Sequence, residues 1–261
     1  MESQGTVRNM RNKAYVSLLG TTQLHKRNPY IIAAWSLAFP GFGHLLLSKY
    51  LRGYALIIWE VFINQLIHLN EAMVYSFNGQ FQAAKDILEP RFTMLYIPVY
   101  LFAIWDSYRS TVDMNKIYLL AQRENGFYDV FRIGAIEVNY LDKRKPWIAV
   151  VWSLGIPSLG QLYLHRIVLA GFIFVCSIIL VWKSNLILAI HYLILGNIRF
   201  STLVLEKQWL LYLPSFYFFS IYDAYMNTVE NNKLFEDALK NHLLRKYQPS
   251  GTQITVGGMV E

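Results

Sequence analysis

Glu60 is the one acidic side chain well inside a long apolar block of this chain, with Asn64 and Gln65 about one helical turn further on. A carboxylate at membrane depth is costly and marks a functional site by default, as in a proton or ion relay. His44, beside a Pro/Gly turn, is the candidate partner for such a relay. The other reading of Glu60 is a helix-packing or interfacial residue. Asp106 and Asp223 form a second candidate set, since each is followed by Tyr at +2, Thr at +5, Asn at +9 and Lys at +10. Those spacings place Asp, Thr and Asn within about two turns of a helix, though not on one face. They suit either a polar cluster that binds a headgroup, an ion or a neighbouring unit, or a hydrogen-bonded helix exit that anchors one unit to another. Asp106 with Arg109, and Asp113 with Lys116, have the spacing of ordinary i,i+3 ion pairs.

No constellation for catalysis accompanies them. The chain has no G-x-S-x-G, H-E-x-x-H or P-loop pattern. Its six histidines (His25, His44, His68, His165, His191 and His242) have no ligand-like spacing. Cys176 is the only cysteine, so neither an internal disulfide nor a cysteine metal cluster is possible, and its apolar surroundings suit a small hydrophobe. We therefore expect no catalytic residues, no cofactor and no metal.

The elements that carry these residues repeat. Sliding the sequence by 117 positions brings Pro29, Trp35, Ser36, Leu37, Pro40, Gly43, Leu45 and Leu47 onto Pro146, Trp152, Ser153, Leu154, Pro157, Gly160, Leu162 and Leu164. Ala72, Tyr75 and Gly79 fall on Ala189, Tyr192 and Gly196, and the Asp106 motif falls on the Asp223 motif. Such a period has to be found before any fold is read. The match is incomplete at the candidate site, because Glu60 falls on Ser177 and His44 on Gln161. A relay built symmetrically from both copies would need both.

The expected organisation is a basic cytoplasmic N-terminus (1–28), a membrane repeat (29–116), a polar cytoplasmic linker (117–145), a second membrane repeat (146–233), and an amphipathic helix with a flexible tail (234–261). The linker is expected to continue the preceding helix, break near Asn125-Gly126, and contain a short extended piece at Ile133 to Val138. The amphipathic helix is expected over Leu234 to Tyr247. Each repeat has three apolar segments: about Tyr30 to Leu47, Gly53 to Leu69 and Phe92 to Trp105, then Trp147 to Leu164, Val168 to Trp182 and Trp209 to Tyr222. Between them, Met73, Phe77, Phe81, Ala84 and Leu88 form an amphipathic helical stripe. Its counterpart, Leu186 to Leu205, is apolar enough to insert as an extra span.

Composition agrees with a membrane chain: 54% of residues are hydrophobic, 16% aromatic and only 16% charged. Soluble domains carry roughly a quarter charged residues. The 18 Tyr and 7 Trp suit an aromatic belt at the membrane interfaces. The net charge of +7 then points to cytoplasmic loops and anionic lipid rather than nucleic acid. The first 28 residues are polar and lack the apolar core of a cleavable signal.

If all six segments crossed a bilayer, the 24 Lys and Arg would divide twelve and twelve between its faces. If the first segment of each repeat instead enters and leaves by one face, 19 of them lie inside, leaving Lys85, Arg91, Lys183, Arg199 and Lys207 outside. That asymmetry satisfies the positive-inside rule. Pro40, Gly41 and Gly43, and Pro157 and Gly160, sit mid-segment where a reversal would occur. The expected fold is an all-α polytopic membrane protein: a tandem 117-residue repeat with four spanning helices and two re-entrant or kinked Pro/Gly hairpins.

The turn Pro40-Gly41-Phe42-Gly43-His44 with Lys49 and Gly53, and Pro157 to Gly160 with Tyr163 and Arg166, resembles the glycine-rich turn of TM2-type membrane domains. The likeness covers about 40 residues of each repeat, with Leu46 and Ser48 departing from the pattern in the first. The whole chain also resembles multi-pass proteins of spore-forming Gram-positive bacteria. The resemblance implies a membrane module with no catalytic residues. The functions to separate are therefore a non-catalytic scaffold or assembly protein, a small transporter or channel with parallel repeats, and an intramembrane enzyme. The lipid bilayer, a further copy of the chain or other membrane proteins are the expected partners, and the cell membrane the expected location.

Overall fold

The computed structural model describes residues 13–124, 131–134 and 137–247 and is mostly helical. An antiparallel hairpin comes first, β1 (Ala14–Ser17) and β2 (Gly20–Gln23), pairing Ala14 with Gln23 and Ser17 with Gly20. Helix α1 (Pro29–Ala38) starts sharply because the Asn28 side chain accepts from the Tyr30 amide and Pro29 occupies the first turn. It ends at Phe39, whose backbone is extended, and Pro40 cannot continue it.

The short helix α2 (Phe42–Leu46) then doubles back along α1. Gly41 makes the turn at φ 103°, and Gly43 lies so close to α1 that a Cβ there would sit 2.6 Å from the Ile32 carbonyl oxygen. Those two atoms belong to residues 11 apart, which a straight helix would separate by about 16 Å.

Helix α3 (Tyr50–Ile67) follows, then α4 (Leu69–Phe77), α5 (Phe81–Ile87) and the 34-residue α6 (Pro90–Arg123). The second half runs through a hairpin of β3 (Phe131–Ile133) and β4 (Val138–Tyr140), then α7 (Pro146–Gly155), α8 (Leu159–Tyr163), α9 (Ile167–Lys183), α10 (Leu186–Ile194), α11 (Ile198–Val204), α12 (Lys207–Leu210) and α13 (Tyr212–Tyr247). Helix starts recur 117 positions apart, at 29 and 146, 42 and 159, 50 and 167, and 81 and 198. The left-handed residues do the same: Gly41 and Ser158, Ser48 and His165, His68 and Asn185, Gly79 and Gly196.

Several sequence expectations are revised. The polar N-terminal segment contains a hairpin, and Ile133 and Val138, the ends of the expected extended piece, belong to two paired antiparallel strands rather than one. From Tyr212 on, the last apolar segment runs without a break into the C-terminal amphipathic helix as α13, while its first residues, Trp209 and Leu210, belong to α12. The stripe 73–88 and its counterpart 186–205 each break into two short helices at Gly79 and Gly196, so the latter forms no single extra span. The expected break at Asn125-Gly126 and the tail 248–261 lie outside the described residues.

The core lies where the halves meet. Ile32, Phe39, Phe42 and Ile57 of the first half pack with Ile173, Leu180, Phe216 and Phe219 of the second. Within it Phe42 stacks on Phe219 (4.2 Å) and Phe39 meets Phe216 edge-on (5.4 Å). Among the described residues no single helix is long and apolar enough to cross a membrane. Two bent pairs reach that length together, α5–α6 bent by 91° and α9–α10 by 57°.

Candidate functional site

Asp106 lies mid-way along α6, where its apolar half gives way to its polar half, and Asp223 lies at the matching place on α13. The segment running from each doubled-back helix into the first turn of the next one supplies the cation. In the first half His44 Nε2 is 2.9 Å and Arg52 Nη1 2.6 Å from Asp106 Oδ2, while Lys49 donates to Ser110 Oγ at 2.7 Å. In the second half Arg166 Nη1 donates to both Asp223 oxygens at 2.7 and 2.6 Å and Nη2 to Tyr50 at 3.0 Å. Gln161, at the position of His44, and Asn227 complete that carboxylate's shell.

The two sites differ in where the cation sits. Arg166 occupies the position of Lys49, one turn before that of Arg52, and is buried along with Asp223, whereas Arg52 is half exposed. A guanidinium at the nearer position reaches the carboxylate from inside. A desolvated pair of this kind holds only through good geometry and extra hydrogen bonds, which Tyr50 and Asn227 supply.

The remaining residues of the motif also find work. Thr111 and Thr228 bond back to the carbonyls of Ser107 and Ala224, both at 2.7 Å. Asn115 accepts from the Arg27 amide at 2.9 Å and donates to its carbonyl at 2.8 Å. Asn232 does the same to Arg144 at 2.8 and 2.7 Å. Each motif therefore clamps the segment just ahead of α1 or α7, at Arg27 and Arg144. The Asp113 ion pair with Lys116 forms at 3.6 Å, but Arg109 faces Asp113 rather than Asp106.

Glu60 is elsewhere. It is buried, and its Oε1 accepts from Asn64 and Tyr96, each at 3.3 Å. His44, expected as its partner, instead faces Asp106. Asn64 leads to a polar clasp between the halves. Gln208 donates to the Asn64 carbonyl (2.9 Å) and side chain (2.8 Å), accepts from the Glu71 amide (2.8 Å), and its carbonyl accepts from Asn70 (2.9 Å). Glu60 Oε2 has no protein partner among the described residues. Gln208 and Asn70 are absent from the sequence-based candidates, because nothing local in a glutamine 144 residues away marks it as Asn64's partner.

On the motif side, the β1–β2 turn reaches the second half: the Leu19 carbonyl accepts from the Ile167 amide at 3.1 Å, and the Leu18 carbonyl lies 2.9 Å from His165 Nε2. His25 follows β2, and burial, followed by the charges of Arg27, Lys233 and Arg166, holds its imidazole down to about 3. An apolar groove of about 390 Å³ runs between α3 and α9, lined by Ile57, Phe62, Phe172, Cys176 and Trp209 with Gln65 at its edge.

Among the described residues no three His, Cys, Asp or Glu side chains come together as a metal site. Chemically, the arrangement holds helices, turns and strands in register. No family model, no curated protein and no solved structure matches the chain.

Proposed function

We propose that this is a duplicated, multi-pass integral membrane protein with a non-catalytic role as a scaffold for assembly. The observation that carries the reading is how polar and apolar surface are divided. Exposed side chains along the middle of the helices are apolar: Ile58, Phe62, Leu101, Phe102, Val175 and Ile178. An apolar band of that extent on a soluble protein would be a liability. The two hairpins meet each other and the polar half of α13, where Lys13 pairs with Asp237 and Lys143 with Glu236, while Lys207 packs over Tyr75.

The doubled-back α1–α2 and α7–α8 then enter and leave by the basic, cytoplasmic face, as the charge count requires. Backbone broken at that depth is tolerated because protein surrounds it. The likeness of these turns to TM2-type domains supports the same placement. The scaffold role follows from how the buried acids are used: Asp106 ties α6 to α2 and α3, Asp223 ties α13 to α8 and α9, and Glu60 ties α3 to α6.

The test is single-cysteine labelling in intact cells after Cys176→Ser. Leu51→Cys and Val168→Cys stay shielded from an impermeant maleimide, while Gln80→Cys and Lys207→Cys react. Labelling at 51 and not at 80 would sink the topology. Loss of the protein from membranes on an alkaline carbonate wash would sink the membrane placement itself.

The unpartnered oxygen of Glu60 favours a second reading, a small ion pathway along the seam between repeats. Cation or proton flux in proteoliposomes that Glu60→Gln abolishes would establish it, and equal flux in both proteins would dismiss it.

A further inference from the structure

The two halves do not meet face to face. In an isologous contact equivalent residues of both partners are buried alike, whereas in a head-to-tail contact each partner uses a different face. Phe39, on the α1 side of the first half, is 3% exposed, and its counterpart Ile156 is 45% exposed. Val16 of β1 is 3% exposed beneath the second hairpin, and its counterpart Ile133 is 70% exposed. On the other partner the order reverses: Phe219 of α13 is fully buried, and its counterpart Phe102 of α6 is 49% exposed. The front of the first half thus packs on the back of the second. The front of the second half and the back of the first are left bare, and both are apolar.

The bare faces retain the residues of the filled contact. Trp35 meets Phe219 edge-on at 5.8 Å. The residues 117 positions away are Trp152 and Phe102, again a Trp and a Phe, which make no ring contact with each other and are both half exposed.

We infer that a second copy of this chain docks head-to-tail, its Trp152 face seated on the Phe102 face of the first. This repeats between chains the contact already made within one, and successive contacts close into a ring or run on as a row. The inference names the partner of the scaffold proposed above and rests on that reading for its setting in a bilayer. The carbonate wash tests the bilayer and the cross-link described next tests the partner, so the two fail separately.

In the Cys176→Ser background, Trp152→Cys and Phe102→Cys are made in separate, differently tagged chains, co-expressed, and treated in the membrane with a short bismaleimide. The control is Trp35→Cys with Phe219→Cys in one chain, which cross-links internally. The expected result is dimer in the mixed sample, severalfold above either single variant alone. No mixed dimer while the control reacts would mean that lipid covers both faces, and would overturn the inference. Dimer from Trp152→Cys alone, equal to the mixture, would do so too, because it would place that face against itself. The unsubstituted protein in nanodiscs supplies a second measurement: a mass of two or more chains is expected, and a monomer counts against it.

Discussion

Removing the charge of Asp223 should cost far more than removing that of Asp106, although the two occupy equivalent positions. In Asp223→Asn the Arg166 guanidinium, 3% exposed, keeps Tyr50 and one amide oxygen as partners but loses the negative charge and one of the two oxygens now 2.7 and 2.6 Å away. Stranding one member of a buried pair costs about 3–5 kcal/mol. In Asp106→Asn the stranded Arg52 has a side chain 51% exposed and turns to water, so the loss is about 1 kcal/mol. At roughly 2–4 °C per kcal/mol for a chain of this size, the first variant melts about 10 °C lower and the second only a few degrees lower. Thermal denaturation of the purified protein in detergent, followed by near-UV circular dichroism, reads both. Replacing the pair together, as Arg166→Met with Asp223→Leu, should recover much of the loss, since apolar side chains carry no desolvation cost. Equal losses at the two sites, or a double variant no better than Asp223→Asn, would refute the assignment of the buried pair.

Two more consequences follow from the backbone and from His25. Ser158 holds φ 114° at the place of Gly41, a conformation that costs a residue with a Cβ about 1–3 kcal/mol. Set against the greater flexibility of unfolded glycine, Ser158→Gly should gain about 1 kcal/mol and raise the melting temperature by a few degrees; no gain would mean the serine is unstrained. His25, whose pKa is lowered to about 3, stays neutral in the folded chain at pH values where the unfolded chain takes up a proton. Stability is therefore complete above pH 6.5 and falls as the pH drops toward 3, at up to ~1.4 kcal/mol per unit. His25→Gln should flatten that part of a pH–stability curve, and an unchanged curve would show that His25 is solvated.

Local sterics made much of this protein readable without coordinates. Pro29 and Pro146 start helices, and Pro40-Gly41 and Pro157-Ser158 end them, because the proline ring and a positive φ act within a residue or two. The 117-residue offset found by matching letters also predicts where the second set of left-handed residues falls. The hairpin Ala14–Gln23 was legible in principle from Tyr15, Val16, Thr21 and Thr22 around Gly20, but four-residue strands are too short to stand out in a polar segment.

Tertiary structure alone decided which charge meets which. Asp106 could have taken Arg109 three residues on, yet it faces His44 and Arg52 because the doubled-back α2 brings that loop against α6. The same holds for Gln208 against Asn64 and Arg166 against Tyr50, contacts between residues more than 100 positions apart. Matching motifs 117 positions apart also acquire unequal environments only when packed. Identical letters at Trp35 and Trp152 carry no record of which one is covered, because burial belongs to the partner surface and not to the residue.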